Sequence, residues 1–325
     1  MPYVKNNSFL LGVNYPWRNY GYDFGSAQGD HLGVSLPAAR DAIARDFERI
    51  RLSGASVARW FLFGDGRCGL ISQDEIPRAP DSVLFVDVDA LLRLAERHGI
   101  RLCFPLIDYL WLQEHRGKRP AYPNEHILHF AASREAFLQN VLIPLFIRFR
   151  EHSALFAWEI ANEPEWAIRE FHPIAEAKLH LADFRAFAIE VARAVREFGK
   201  VPVTLGSARI LWTRAWTSLG LDFYQAHYYP GTESENRGGL SQQLGALQLL
   251  DKPFWLGELP ARDPSHPDYS LSQALDICRR TGAFGAAVWR WTEPEAGSTD
   301  HKVGSVSTDE LIKWNSSSRS FCQTA

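Results

Sequence analysis

Short apolar runs alternate along the whole chain with longer segments in which apolar residues recur every three or four positions. The runs at 9–14, 56–61, 101–107, 155–160, 202–206, 223–227, 254–257 and 285–289 predict eight strands. Several are apolar at consecutive positions, the pattern of strands covered on both faces. The intervening segments predict helices over 37–53, 88–98, 134–150, 175–198, 211–219, 240–250, 271–281 and 309–314. In the first of these, Ile43, Phe47 and Ile50 share a face and Gly54 ends the run. In the second, Leu91, Leu92 and Ala95 do the same, with Gly99 beyond. Pro144 inside the third predicts a kink, because proline has no N–H for the helical ladder. Eight strand–helix units in succession predict an α/β fold, a (β/α)8 barrel forming one domain over residues 1–325. In such a barrel functional residues sit at the carboxyl ends of the strands. The long segments 63–87 and 109–130 predict walls of a cleft, and 316–325 reads as a loose tail.

Composition narrows this picture. Hydrophobic content of 46% with 22% charged residues describes a chain with an ample core. The net charge of −3 gives no basic field for nucleic acid or for an anionic membrane. No apolar segment approaches the ~20 residues needed to span a bilayer. The first residues lack a charged start followed by an apolar run, so no leader peptide is expected. That leaves a cytoplasmic protein, or a secreted one whose leader has been removed. Cys68, Cys103, Cys278 and Cys322 are scattered and no His spacing suggests ligation, so neither a metal nor another cofactor is expected. Aromatic residues make up 13% of the chain, enough for a cleft lined by rings as well as a core.

The stretch Ala157-Trp158-Glu159-Ile160-Ala161-Asn162-Glu163-Pro164 carries the most chemistry. An apolar run ends in an Asn-Glu pair, and the proline stops the strand there. The pattern returns as Phe254-Trp255-Leu256-Gly257-Glu258-Leu259-Pro260. Two glutamates delivered by strand ends of one sheet can face each other across a pocket, and facing carboxyl groups are what glycosidic cleavage needs. Glu159 lies close by, but strand alternation aims it elsewhere, and it reads as structural.

These strand ends resemble the clan A retaining glycoside hydrolases, family 5 (the cellulase and mannanase group) most closely. The resemblance runs from about residue 9 to about 291. It identifies Glu163, within Asn162-Glu163-Pro164 after the fourth strand, with the acid/base, and Glu258 at the end of the seventh with the nucleophile. Arg59 in Val57-Ala58-Arg59-Trp60 matches the family's arginine at the end of strand two. His227 and Tyr229 match its His-x-Tyr after strand six, and Trp289 its tryptophan on strand eight. One position departs: where members commonly carry a histidine after strand three, this chain has Asp108.

The resemblance implies a retaining β-glycosidase acting on β-linked glucan- or mannan-type saccharides by double displacement. Glu163 is then the proton donor, Glu258 the nucleophile, Arg59 and Tyr229 partners of Glu258, Asn162 a ligand of the sugar 2-hydroxyl, His227 a positioning group and Trp289 a sugar platform. The carboxyl groups of such an enzyme lie ~5–5.5 Å apart. Asn14, Trp17, Trp60, Asp108, Trp111, Trp166 and Trp291 follow strand ends and are expected to line the mouth, together with Tyr15, Asp65, Arg67 and Glu293. A transglycosylase using the same site, or a barrel that binds carbohydrate without cleaving it, are the alternatives.

Overall fold

The predicted strands are present and close on themselves in the computed structural model, which describes residues 9–27, 30–74, 76–113, 128, 130–173, 179–233, 239–291 and 305–321. They are β1 (Leu10–Asn14), β2 (Val57–Arg59), β3 (Arg101–Asp108), β4 (Leu155–Asn162), β5 (Val203–Ser207), β6 (Tyr224–His227), β7 (Phe254–Pro260) and β8 (Gly285–Trp289). All pair in parallel, each with its neighbours in sequence, and the ring closes where Leu10 of β1 meets Gly285 of β8. β4 is buried at every position, as a strand covered on both faces must be.

Helices wrap the ring. α1 (Pro37–Leu52) opens on its proline and buries Ile43, Phe47 and Ile50 against the barrel. α2 (Leu84–Arg97) starts earlier than its sequence suggests, because Asp81 Oδ1 accepts the N–H of Val83 and prepares the first turn. Before it, Leu70–Gln73 and Ile76–Pro80 pair as an antiparallel hairpin in the expected wall segment. The kink at Pro144 takes the form of a π-helical turn, Leu138–Leu142, between α3 (Ala131–Phe137) and α4 (Ile143–Phe149). A wider turn absorbs the hydrogen bond that proline cannot make.

α5 (Leu181–Ala194) begins later than predicted, and a 3-10 helix, Ile210–Trp216, stands where a helix over 211–219 was expected. α6 (Leu240–Leu247), α7 (Leu271–Arg280) and α8 (Thr308–Phe321) complete the outer layer. α8 continues past residue 316 into the expected tail, and residues 322–325 lie outside the described ones. Most of the second wall, residues 114–127, also lies outside them. Among the described residues no helix is long and apolar enough to cross a membrane.

The barrel interior is layered. Phe156, Phe223 and Trp255 fill its floor, with Phe156 lying 6.0 Å from Phe223 and 5.6 Å from Trp255 between ring centroids. Gly285 is required beside them, since a Cβ there would overlap the Trp255 indole. Rings of this size, fully buried, each contribute about 2–3 kcal/mol. Above this floor sits a buried polar layer of Arg59, Glu159 and Gln225. The strand ends above that layer carry the site.

Candidate active site

Arg59 points into the barrel with 1% of its surface exposed. A bare charge there would be very costly, so its partners matter. Its Nε donates to Glu159 Oε2 at 2.7 Å and its NH2 to Glu159 Oε1 at 2.6 Å, a two-pronged pair. NH1 also donates to Asn14 Oδ1 at 2.9 Å and to Glu258 Oε1 at 2.7 Å, and NH2 to Asn162 Oδ1 at 2.7 Å. One guanidinium thus anchors on Glu159 and holds three rim residues. Glu159 takes a further hydrogen bond from Gln225 Nε2 at 2.7 Å. Gly206 on β5 makes room for it, because a Cβ at that position would overlap Glu159 Oε1.

Glu163 follows β4 in a left-handed conformation, φ 48° and ψ 46°. A side chain bearing Cβ pays about 1–2 kcal/mol for this. The turn is fixed by its N–H donating to Gly206 O at 2.8 Å and by Pro164 opening a short 3-10 turn. His227 Nδ1 lies 2.8 Å from Glu163 Oε1, and Trp166 Nε1 donates to Oε2 at 2.8 Å. Glu258 accepts the Tyr229 hydroxyl on Oε2 at 2.6 Å and Arg59 on Oε1. His227 Nδ1 reaches that same Oε1 at 3.5 Å. One oxygen of each glutamate and a ring nitrogen of His227 all lie within 4.8 Å of one another.

The charges follow from burial and partners. Burial draws His227 down to about 4, so the ring is neutral at pH 7. Its Nε2 is enclosed with no partner, which places the single N–H on Nδ1, toward the glutamates. Burial raises the Glu258 carboxyl, while the Arg59 charge and the Tyr229 hydroxyl pull it back toward the anion. Asp108 pairs in register with Asn162 across β3 and β4, and Asn162 Nδ2 reaches its Oδ1 at 3.4 Å. Burial, reinforced by Glu163 and Glu258, pushes Asp108 up to about 8, so it is neutral at pH 7. Among the described residues Glu163, His227 and Glu258 form the group of donor atoms close enough together to hold a cation. Their atoms are already engaged with one another, however, and Arg59 occupies the Glu258 oxygen that an ion would need.

The structure therefore brings together Asn14, Arg59, Asp108, Asn162, Glu163, Trp166, His227, Tyr229 and Glu258. Trp289 and Trp17 meet edge-on at 6.1 Å beside Phe61, whose ring lies 5.0 Å from the Arg59 guanidinium. Several expected cleft residues are elsewhere. Trp60 is fully buried on the opposite side of β2 from Arg59, stacked on Tyr15 at 4.2 Å and donating to Asp23. Strand alternation sends neighbours to opposite faces. Tyr15 goes with it, its hydroxyl turned to Asp46 on α1. Trp111 is 2% exposed, packed between Phe63 and Phe137, and braces the wall from behind. Trp291 is buried under Arg49 beside a cavity of about 830 Å³. Neither glutamate lines that cavity. Asp65 and Arg67 pair with each other, and Glu293 lies outside the described residues.

Other residues were not singled out in the sequence. Gln225 steadies Glu159. Glu165, fully buried and pushed by burial up to about 7, takes hydrogen bonds from Ser207 Oγ, Trp216 Nε1 and the Ala208 N–H, locking the loop after β4 to that after β5. Arg209 and Trp212 lie against Trp166. Their position just past β5 was the available signal, since rim residues follow strand ends.

With this geometry in hand, similarity to known proteins can be weighed. No protein-family profile matches the chain. A mannan endo-1,4-β-mannosidase from Cryptopygus antarcticus is 29% identical over 170 residues, which is 51% of this chain and 41% of that protein. The crystal structure of the β-1,4-D-mannanase from the same organism superposes with a TM-score of 0.77 at 19% identity, covering 94% of this chain and 89% of that one. The β-mannanase of the blue mussel Mytilus edulis gives 0.73 at 20% identity, covering 94% and 92%. A GH5_18 structure from Bifidobacterium longum subsp. infantis gives 0.65 at 15% identity, covering 96% and 79%. This chain is similar to β-mannanases and to family 5 glycoside hydrolases. The expected resemblance is borne out, and the (β/α)8 barrel is the fold these structures share. The sequence match to the Cryptopygus relative spans less than half of its length.

Proposed function

We propose that the chain is a retaining β-glycoside hydrolase that cleaves mannan-type saccharides by double displacement. One observation carries this reading: the rim glutamates approach to within 4.8 Å between oxygens. That is close to the ~5–5.5 Å of retaining enzymes and well short of the ~6.5–9.5 Å that admits a water in inverting ones. Glu163 protonates the departing glycosidic oxygen while Glu258 attacks the anomeric carbon and forms a glycosyl-enzyme. Glu163 then takes a proton from water, the water oxygen bonds to the anomeric carbon, and Glu258 leaves as carboxylate. Arg59 and Tyr229 hold Glu258 as the anion and aim it. Asn162, fixed by Arg59, meets the 2-hydroxyl, and Trp289 offers the ring on which that sugar rests. Two side chains and one water supply the protons and nucleophiles of both steps, so the steps require no cofactor. The mannan-type substrate is drawn from the relatives that share this arrangement of elements.

The test follows the anomer first released from manno-oligosaccharides and aryl β-mannosides by NMR. Early appearance of the β anomer is expected. An α product first, or silence from the folded protein across β-mannosides and β-glucosides, overturns the proposal. Glu258→Gln should lower turnover by ~10³-fold or more with an unchanged circular dichroism spectrum. Glu163→Ala should lose far more on oligosaccharides than on dinitrophenyl glycosides, whose leaving group needs little protonation. Equal losses on both would remove Glu163 from the acid role.

A further inference from the structure

Just past Glu163 lies a carboxyl group that the proposed chemistry never touches. Glu165 is fully buried, and donors converge on it. Ser207 Oγ donates to its Oε1 at 2.6 Å, Trp216 Nε1 to the same oxygen at 2.7 Å, and the Ala208 N–H to Oε2 at 3.1 Å. Among the described residues no cation pairs with it. A buried carboxylate is costly without such partners. It accepts on both oxygens, so three converging donors suit it better than they suit an amide. The donors are themselves fixed: Ser207 ends β5, and Trp216 is buried against Phe171 and Phe184. Gly206, one residue earlier on β5, accepts the Glu163 N–H at 2.8 Å. Residues 206–208 therefore hold Glu163 by its main chain and Glu165 by its side chain, on either side of Pro164. Around these two fastenings run the left-handed turn at Glu163 and the 3-10 turn Pro164–Ala167, from which Trp166 reaches back to Glu163 Oε2.

We propose that Glu165 is a positioning residue for the proton donor: it clamps the turn after β4 to the end of β5, and so sets where the Glu163 carboxyl and the Trp166 N–H beside it stand. The inference rests on the acid role proposed above for Glu163. A residue with a Cβ stays left-handed only where its surroundings over-determine it. Without the clamp, that task falls to the single backbone hydrogen bond on Gly206 and to packing. The clamp holds in both charge states. Burial pushes Glu165 up to about 7, so both forms are present near neutrality. When the carboxyl is protonated, it donates to Ser207 Oγ, and the Ser207 proton turns to Arg209 O, 2.9 Å away. Every proton then has an acceptor, and the turn stays tied to β5.

The experiment compares the full wild-type chain with Glu165→Ala and Glu165→Gln on mannotetraose and on dinitrophenyl β-mannoside. The first substrate needs a proton on its leaving oxygen and the second needs almost none. In Glu165→Ala the ratio of kcat/KM between the two should fall about tenfold or more, part of the roughly 10²–10⁴-fold that a placed acid supplies. Glu165→Gln keeps an oxygen for Ser207 and Trp216 and should recover most of the ratio. Should Glu165→Ala fail to fold by thermal melt, Trp216→Phe, which removes one donor, is read in the same way with a smaller fall. A merely structural Glu165 would lower the melting temperature and leave the ratio unchanged, because unfolded molecules are lost to both substrates alike. That result overturns the positioning role and leaves the proposed reaction standing. A fall of equal size in folded Glu165→Gln also overturns the clamp, since charge rather than hydrogen bonding would then carry the effect. A wild type inactive on both substrates overturns the reaction, and the positioning role with it.

Discussion

Arg59 is shared among Glu159, Asn14, Asn162 and Glu258, and it is the cation nearest the two rim glutamates among the described residues. Removing the charge of Glu159 would leave the guanidinium to Glu258 alone. Glu159→Gln is therefore expected to lower kcat and to shift the acid limb of the pH–rate profile downward, because Glu258 gains a larger share of that charge. A merely structural Glu159 would lower stability without moving the limb. Breaking a buried pair also costs about 3–5 kcal/mol, which a thermal melt would register. Arg59, Glu163 and Glu258 were legible in the sequence because each is a charged residue ending an apolar run. Glu159 read as structural, and it does lie below the rim. Its hold on Arg59 joins residues 100 positions apart that meet only when the ring closes. Trp60 misled through adjacency: next to Arg59 in sequence means facing away from it in a strand.

Strands rather than loops deliver most of the site, and their ends ran past the apolar runs that signalled them. β3 continues to Asp108 and β4 to Asn162, and these two polar residues still pair in the ladder. Apolarity marks where a strand is covered and says nothing of where its hydrogen bonding stops. The 3-10 helix after β5 was likewise unreadable, since its apolar spacing serves an α-helix as well. Close approach between strands was invisible for a related reason. Gly206 exists for the carboxylate of Glu159 on the neighbouring strand. Gly206→Ala should displace Glu159 and with it Arg59. The expected result is a loss of about 1–3 kcal/mol in stability and a larger proportional loss in kcat. A variant with normal kcat and a lower melting temperature would show that the network tolerates the shift.

Among the described residues, buried carboxyl groups are lifted above the ordinary range at Asp23 to about 6, Glu165 to about 7 and Asp108 to about 8, each through burial first, and Glu258 is raised in the same direction. Between pH 4 and those values the unfolded chain has released these protons and the folded chain has kept them. Stability from this source is complete below pH 4 and declines as pH rises through 6, 7 and 8. The melting temperature should fall between pH 5 and pH 9, and Asp108→Asn should flatten the part of that slope nearest pH 8. An unaltered slope in Asp108→Asn would mean that Asp108 is ionised in the folded protein. The barrel itself was legible from the alternation of elements, because eight repeats of one pattern admit few architectures.

The aromatic floor has a consequence for traffic. Among the described residues Phe156, Phe223 and Trp255 close the bottom of the barrel, which leaves the rim as the way in. In the reaction proposed above, the water of the second step would enter through the rim by which the first product leaves. A sugar slow to depart therefore stands in the queue ahead of the solvent, and the order of exits and entries, as much as the chemistry, sets what the barrel makes.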